Sequence, residues 1–371
     1  MRSGIPKRGK RLFLCMILLI MQVTVVTGCG KGADETAGMT EHVATATPSS
    51  VPPVEVQEED THEGEFRSTI SGLWLPEKLE GRRPYAIMIN NIEVASRNQS
   101  GTSQASVVYE AVVEGGITRM MGIYEDFDSD RIGSTRSARH YFVSFADEYD
   151  AIYCHYGQTK YALSKIAELD VDNLSGLSSE GETVYYRDHS LKAPHNAFAS
   201  YDGIKKGTKL KGYRTKLRDD VTTHYQFYEE DTDINGDIKA GKVTLKFSGY
   251  TSPYFIYNQK KKLYYRYEFD KKQVDTQTGK QLKFKNLIVQ YVNEWTLDDK
   301  GYQTMDIENA SGKGYYITNG TAVPITWEKN EKKKSMHYLT DDGELLTVNP
   351  GKTYIAVFPD RSASEVTFEA K

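Results

Sequence analysis

The sequence predicts an α+β protein, with a mixed α/β domain over residues 68–218 followed by a β-rich, sandwich-like domain over residues 219–371. Three observations carry this. Up to about residue 215, short apolar runs alternate with stretches whose apolar residues recur at helical spacing. From Thr222 onward that spacing gives way to β-branched and aromatic runs broken by turn residues. Ahead of residue 68 the chain is acidic, proline-containing and poor in large apolar residues, which sets the folded part off from its start.

The first 28 residues read as a secretory signal peptide. Arg2, Lys7, Arg8, Lys10 and Arg11 form a basic start, an apolar run spans Leu12 to Val26, and Val26-Thr-Gly-Cys29 closes it with small residues. At about 15 residues the run is short for a bilayer span, which takes roughly 20. The ending resembles a bacterial lipobox, which implies acylation of Cys29 and its exposure as the new N-terminus. Several acyl chains on one residue hold a protein on a bilayer far better than one. The sequence therefore implies a lipid-anchored protein on the extracytoplasmic face of the cell membrane, with the bilayer as its first partner.

Of three cysteines, Cys15 leaves with the signal and Cys29 carries lipid, so Cys154 alone remains in the folded part and no intrachain disulfide is expected. Losing residues 1–28 removes five basic and no acidic groups, which moves the formal charge from −4 to −9. So acidic a chain is a poor nucleic-acid binder, and any anion it takes must be met by a local cluster.

Residues 29–67 read as a disordered acidic tether. Pro48, Pro52 and Pro53 oppose regular structure, and six carboxylates between Glu55 and Glu65 repel one another. A coil of about 37 residues reaches roughly 30–35 Å.

In the α/β domain, Tyr85 to Asn91 is a short apolar run suited to a buried strand. Val107 to Val113 and Ile117 to Tyr124 flank Gly115-Gly116, a two-residue hairpin signal. Ser134 or Thr135 is placed to cap a helix running to about Glu148, with Tyr141, Phe142 and Phe145 toward the core. Ala151 to Tyr156 reads as a strand, and Thr159 to Leu169 as a helix. In the second domain, strands at Phe255–Tyr257 and Leu263–Tyr265 flank a lysine-rich turn, and Asp341-Asp-Gly343 and Asn349-Pro-Gly351 supply turns between further strands.

The chemistry-bearing residues concentrate between Glu110 and Arg139. A two-residue turn at Gly115-Gly116 would set Val112 opposite Arg119 and Glu110 opposite Met121. Strand alternation then places Glu110, Glu114 and Arg119 on one face, Arg119 diagonal to both glutamates. That set suits either an ion-pair cluster that fixes register or acid–base chemistry tuned by the arginine. If the helix begins near Thr135, Arg136, Arg139 and His140 lie in its first turns, where free N–H groups and the dipole favour an anion. Either a glutamate of the hairpin or a bound anion compensates those arginines.

His155 ends a predicted strand, a common position for ligand contact. His195 and Asn196 sit in a loop stiffened by Pro194, and Asn91 ends the first strand. These join the arginines as candidate ligand-binding residues. No H-x-x-x-H or C-x-x-C spacing supports a metal, and no nucleophile-elbow, Walker or dinucleotide motif occurs, so no cofactor is expected. Cys154 points to the opposite strand face from His155, which argues against a Cys–His nucleophile. Tyr250, Tyr254, Tyr257, Tyr264, Tyr265, Tyr267, Trp295 and Trp327 read mainly as packing, with glycan stacking as the alternative.

Tyr85-Ala-Ile-Met-Ile-Asn-Asn91, Glu114-Gly-Gly-Ile-Thr-Arg119, Gly133-Ser-Thr-Arg-Ser-Ala-Arg139, His155-Tyr-Gly157 and Ala193-Pro-His-Asn196, behind a lipobox, resemble the YerB-like lipoproteins (DUF3048), a family of uncharacterised function. Lys285-Asn-Leu-Ile-Val-Gln290, Ile325-Thr-Trp327 and Asn349-Pro-Gly-Lys-Thr-Tyr-Ile355 resemble that family's C-terminal module. The resemblance spans most of residues 70–360. It implies a membrane-anchored protein with an α/β module and a β-rich module, and brings no reaction with it. One departure is Asn98, which stands where the family often has proline after the arginine corresponding to Arg97.

Two functions follow. The first is a lipoprotein that binds an anionic cell-wall polymer or an envelope protein through Arg119, Arg136, Arg139 and His195. The second is a wall-glycan hydrolase or lyase using Glu110 or Glu114. Strand positions i and i+4 stand about 13 Å apart, more than the roughly 5–9 Å that suits paired carboxylates on one glycosidic bond, and this weighs toward binding.

Overall fold

Strands covered on both faces must be apolar at consecutive rather than alternate positions. Four runs of six or seven residues approach that condition, and every residue in them is buried: Tyr85–Asn90 (β1), Val107–Val112 (β2), Thr118–Tyr124 (β3) and Thr353–Pro359 (β11). In the computed structural model, which describes residues 61–330 and 332–370, they lie side by side at the middle of an eleven-stranded mixed sheet. The other members are Ile152–His155 (β4), Asn173–Ser175 (β5), Ile238–Lys239 (β6), Asn286–Val292 (β7), Ala310–Thr318 (β8), Thr321–Asn330 (β9) and Lys333–Leu339 (β10). Their order is β6-β9-β8-β7-β11-β2-β3-β1-β4-β5, and β10 also pairs with β9.

The expected signal peptide, Cys29 and nearly all of the expected tether lie outside the described residues. The tether's last residues, Glu65–Arg67, pair with Trp74–Pro76 as a small hairpin. The segments 68–218 and 219–371 meet in the sheet itself. β2 and β11 run parallel, from Val107 opposite Thr353 to Ala111 opposite Val357. The fold is α+β, mixed in its N-terminal half and β-rich in its C-terminal half.

Both faces of the sheet are covered. On one, Tyr141, Phe142 and Phe145 of helix α1 (His140–Glu148) and Ala162 and Ile166 of helix α2 (Lys160–Leu169) pack on Tyr109, Ala111, Met121 and Tyr153. The hydroxyl of Thr159 accepts the Ala162 N–H at 3.0 Å and starts α2 where the sequence places it. On the other face lie Ile204 of helix α3 (Tyr201–Leu210) and a six-stranded antiparallel sheet. That sheet includes Lys242–Leu245, the hairpin Tyr254–Asn258/Leu263–Glu268 and Val366–Glu369.

Helix α1 begins later than its sequence suggests. Residues 134–139 stay extended because their backbone groups are taken by neighbours. The Ser134 carbonyl accepts from Asn90, Thr135 N–H donates to Ala197 at 2.7 Å, the Arg136 carbonyl accepts from Tyr156, and Ala138 N–H donates to Gly157. A segment so paired has no groups left for a helical ladder. At Gly133 (φ 141°) a Cβ would come 2.5 Å from the Thr135 nitrogen, so only glycine fits.

One charged group sits in the middle of all this. Glu110, on β2, is fully buried, and its carboxylate accepts from Asn91 Nδ2 (2.9 Å), Thr118 Oγ1 (2.6 Å), Tyr354 OH (2.7 Å) and Arg266 Nη2 (2.6 Å). Arg266, also fully buried, donates through Nη2 to Glu268 Oε2 at 2.7 Å as well. Burial opposes the Arg266 charge, but Glu110 and then Glu268 outweigh it and raise its pKa. Burial pushes Glu268 up to about 8, with Arg266 opposing and Glu110 adding to the rise.

Removing one member of a buried ion pair leaves a stranded charge, so Arg266→Met is expected to lower unfolding free energy by about 3–5 kcal/mol in denaturant titrations. Between the ordinary carboxyl value of 4.5 and about 8, native Glu268 holds a proton that the unfolded chain releases. Its contribution to stability is therefore present below that window and lost as pH rises through it. Glu268→Gln is expected to flatten that fall, as read from unfolding midpoints across the window.

Candidate functional site

The turn between β2 and β3 decides which face each charged residue takes. It holds three residues, Glu114–Gly116, not two: Val113 N–H donates to the Ile117 carbonyl at 2.8 Å, and Gly115 and Gly116 both adopt positive φ, 72° and 71°. The register is Val112 opposite Thr118, Ala111 opposite Arg119 and Glu110 opposite Met120. A slip of one residue turns every side chain to the other face. Glu110 therefore points into the interior with Thr118, whereas Arg119 points to the α1 side. The expected face shared by Glu110, Glu114 and Arg119 does not form.

Arg119 instead joins Arg136, Arg139 and His195. Asn90 lies directly opposite Arg119 on β1. Its amide donates to Nδ1 of His195 at 3.0 Å and to the Ser134 hydroxyl at 3.3 Å, which leaves the neutral His195 proton on Nε2. Arg139, the residue before α1, forks onto Glu114, with Nε to Oε1 at 2.7 Å and Nη2 to Oε2 at 2.5 Å. Arg119 donates to the Ser137 carbonyl at 2.5 Å, and Arg136 to the Pro194 carbonyl at 3.3 Å. Among the described residues, neither Arg119 nor Arg136 forms an ion pair. Arg136 is in the extended segment and Arg139 flanks the helix, so the arginines converge through strand and loop rather than through a helix's first turns. Two cis peptide bonds border the cluster, Gly133–Ser134 and Ala193–Pro194.

The electrostatics follow from three cations sharing one carboxylate. Burial, then Arg139, then Arg136 bring the Arg119 pKa down to about 9, and Glu114 offsets only part of this. Burial and Arg139 lower Arg136, and burial followed by Arg136 lowers His195. Arg119 is only 5% exposed. A buried guanidinium with one carbonyl partner and two like neighbours is short of negative charge.

The other candidates have structural partners. Asn91 is fully buried; it donates to Glu110 and Thr118 and accepts from Gln273, so it belongs to the interior network. His155 is buried, with Nδ1 on the Gly157 carbonyl (2.8 Å) and Nε2 on Asn173 Oδ1 (3.1 Å), and burial lowers its pKa. Asn196 holds its own loop through Arg187, Asp188 and Leu191. Cys154 packs on the far face beside Leu174, and burial pushes its thiol up. Trp327 is buried with Nε1 on the Tyr291 carbonyl, which removes it as a stacking surface. Sequence reasoning missed Asn90, although strand alternation from Met88 points to it. It also missed Arg266 and Tyr354, 156 and 244 residues from Glu110, for which no local signal exists.

The molecule is thus an α+β protein whose halves share a sheet and whose polar site is an arginine cluster beside the turn between β2 and β3. Residues 70–214 match the N-terminal domain, and residues 243–355 the C-terminal domain, of the "protein of unknown function" family DUF3048. The chain belongs to that family. It is 30% identical over 306 residues to YerB of Bacillus subtilis (strain 168), a protein named as a lipoprotein, with 81% of this chain and 89% of that one covered. It is also similar to the crystal structure of the Bacillus subtilis YerB protein, with a TM-score of 0.73 at 28% identity over 82% of this chain and 99% of that one.

Glu114→Gln leaves Arg139, 6% exposed, without its carboxylate. Unfolding free energy is expected to fall by about 1–3 kcal/mol. In the same denaturant titrations Glu93→Gln, which breaks an exposed pair with Arg97, is expected to change it by less than about 1 kcal/mol.

Proposed function

We propose that this protein is a lipoprotein held on the extracytoplasmic face of the membrane by acylated Cys29, and that it binds an anionic cell-envelope component through Arg119, Arg136, Arg139 and His195. The observation that carries this reading is the charge imbalance: three arginines converge and Glu114 is the one carboxylate among them. A phosphate or carboxylate placed against Arg119 and Arg136 relieves their mutual repulsion and fills their empty donor positions. The Val-Thr-Gly-Cys29 ending and the lipoprotein name of the YerB relative support the anchor.

An acid–base role at Glu110 finds little support, because four donors inside the core occupy its carboxylate. Glu114 is the remaining candidate, and the Arg139 guanidinium occupies both of its oxygens.

Retention of the full-length protein on an immobilised phosphate-bearing wall polymer, compared with a neutral glycan, tests the reading. Arg119→Ala and Arg136→Ala are each expected to weaken retention about ten-fold or more, the equivalent of one charge-assisted contact. Arg97→Ala, at an exposed pair away from the cluster, is expected to leave it unchanged. Equal retention of all three variants and the wild type overturns the assignment.

A further inference from the structure

A second concentration of positive charge lies at the opposite end of β2 from Glu114, where the two halves of the chain meet. The Thr102–Ala105 loop, the hairpin of Val274–Asp275 with Lys280–Gln281, and Lys352 just ahead of β11 enclose a hollow of about 220 Å³. Lys280 and Lys283 stand at its mouth and Lys352 deeper, while Ala105, Leu282 and Phe284 supply apolar wall. None of these three lysines forms an ion pair among the described residues.

Lys352 is a placed side chain. Its carbonyl accepts from the backbone N–H groups of Lys285 (2.9 Å) and Asn286 (3.2 Å), and its ammonium donates to the Ser103 carbonyl. The neighbouring carboxylate, Asp275, is buried and already accepts from the Ser103 N–H (2.9 Å) and the Gln277 N–H (3.0 Å). Burial and then Lys283 bring the Lys352 pKa down to about 8, and Asp275 offsets less than Lys283 removes. Thr102, another wall residue, is 2% exposed and its hydroxyl has no hydrogen-bond partner. Ammonium groups without counter-ions and an unused hydroxyl round a small enclosed space make an anion receptor.

We propose that this hollow is a binding site for a compact phosphate group, free or as a small phosphomonoester, held by Lys280, Lys283 and Lys352 and independent of the arginine cluster. Its volume is below the 300 Å³ or more of ordinary drug-sized pockets, which limits the guest to one phosphate and a few further atoms. A phosphomonoester is largely dianionic at neutral pH and the free ion carries between one and two charges, so either matches the excess of cations.

Amine modification of the full-length protein in detergent, read residue by residue by mass spectrometry at pH 7, tests it. Inorganic phosphate or glycerol phosphate is expected to slow modification of Lys352 about ten-fold at a concentration ten times the dissociation constant, by mass action, relative to chloride at equal ionic strength. Lys209, exposed on α3, is expected to show no such protection. Lys283→Gln is expected to abolish the protection, and Arg119→Ala to leave it intact, which separates this site from the arginine reading. Protection by phosphate assigns the free ion, and protection by glycerol phosphate alone assigns the ester. Protection by neither, equal protection by chloride, or loss of protection in Arg119→Ala overturns the proposal.

Discussion

Glu110 carries a charge at the centre of the sheet, and the chain assembles around keeping it satisfied. Asn91, just past β1, and Thr118 of β3 reach it, as do Tyr354 from β11 and Arg266 from the six-stranded sheet packed on the same face. An ionised carboxylate in such a place is tolerated only when every lone pair is engaged. These four contacts therefore do more than stabilise. They specify that the C-terminal half docks in one position, with β11 against β2 and Arg266 over Glu110. Buried polar networks are good at this kind of selection even where their net stabilisation is small.

The register of β2 and β3 then sorts the remaining charges. One face receives Glu110 and Thr118 and is closed by the second sheet, while the other receives Arg119 beside Asn90. The two faces differ in how their charges balance. Inside, Arg266 meets Glu110 and Glu268; near α1, three arginines meet one carboxylate. The first matches Arg266 to acceptors from within the chain, whereas the second lacks negative charge, the imbalance on which the proposed anion site rests. The interior network and the proposed recognition site thus occupy opposite sides of the same two strands.

Much of the fold was legible because local pattern and tertiary role agree. The consecutive apolar run at Tyr85–Asn90, the Thr159 cap of α2 and the hairpin at Tyr254–Asn258 and Leu263–Glu268 stand where the sequence places them. Errors arose where distant partners overrode local signals. Residues 134–139 carry good helix-start residues, yet Asn90, Tyr156, Gly157 and Ala197 take their backbone groups. The Gly115-Gly116 pair signals a tight turn but closes a three-residue one, and that one-residue slip separates Glu110 from Arg119. The sequence named Arg119, Arg136, Arg139 and His195 as candidates, and the fold brings them near one another, through strand and loop rather than through a hairpin face and a helix's first turns. The roles of Asn91, His155 and Asn196 were not legible, because their partners, such as Gln273 and Asn173, become neighbours only on folding.

The central claim is that Arg119 and Arg136 are short of negative charge and accept it from outside. The most direct measurement follows the side-chain Nε–H resonances of the arginines by NMR while a phosphate-bearing wall polymer is added. Saturable shifts at Arg119 and Arg136, with Arg266, fully buried in the core, unchanged, are the predicted result. Arg119 and Arg136 resonances that stay fixed at polymer concentrations that bind the protein would contradict it.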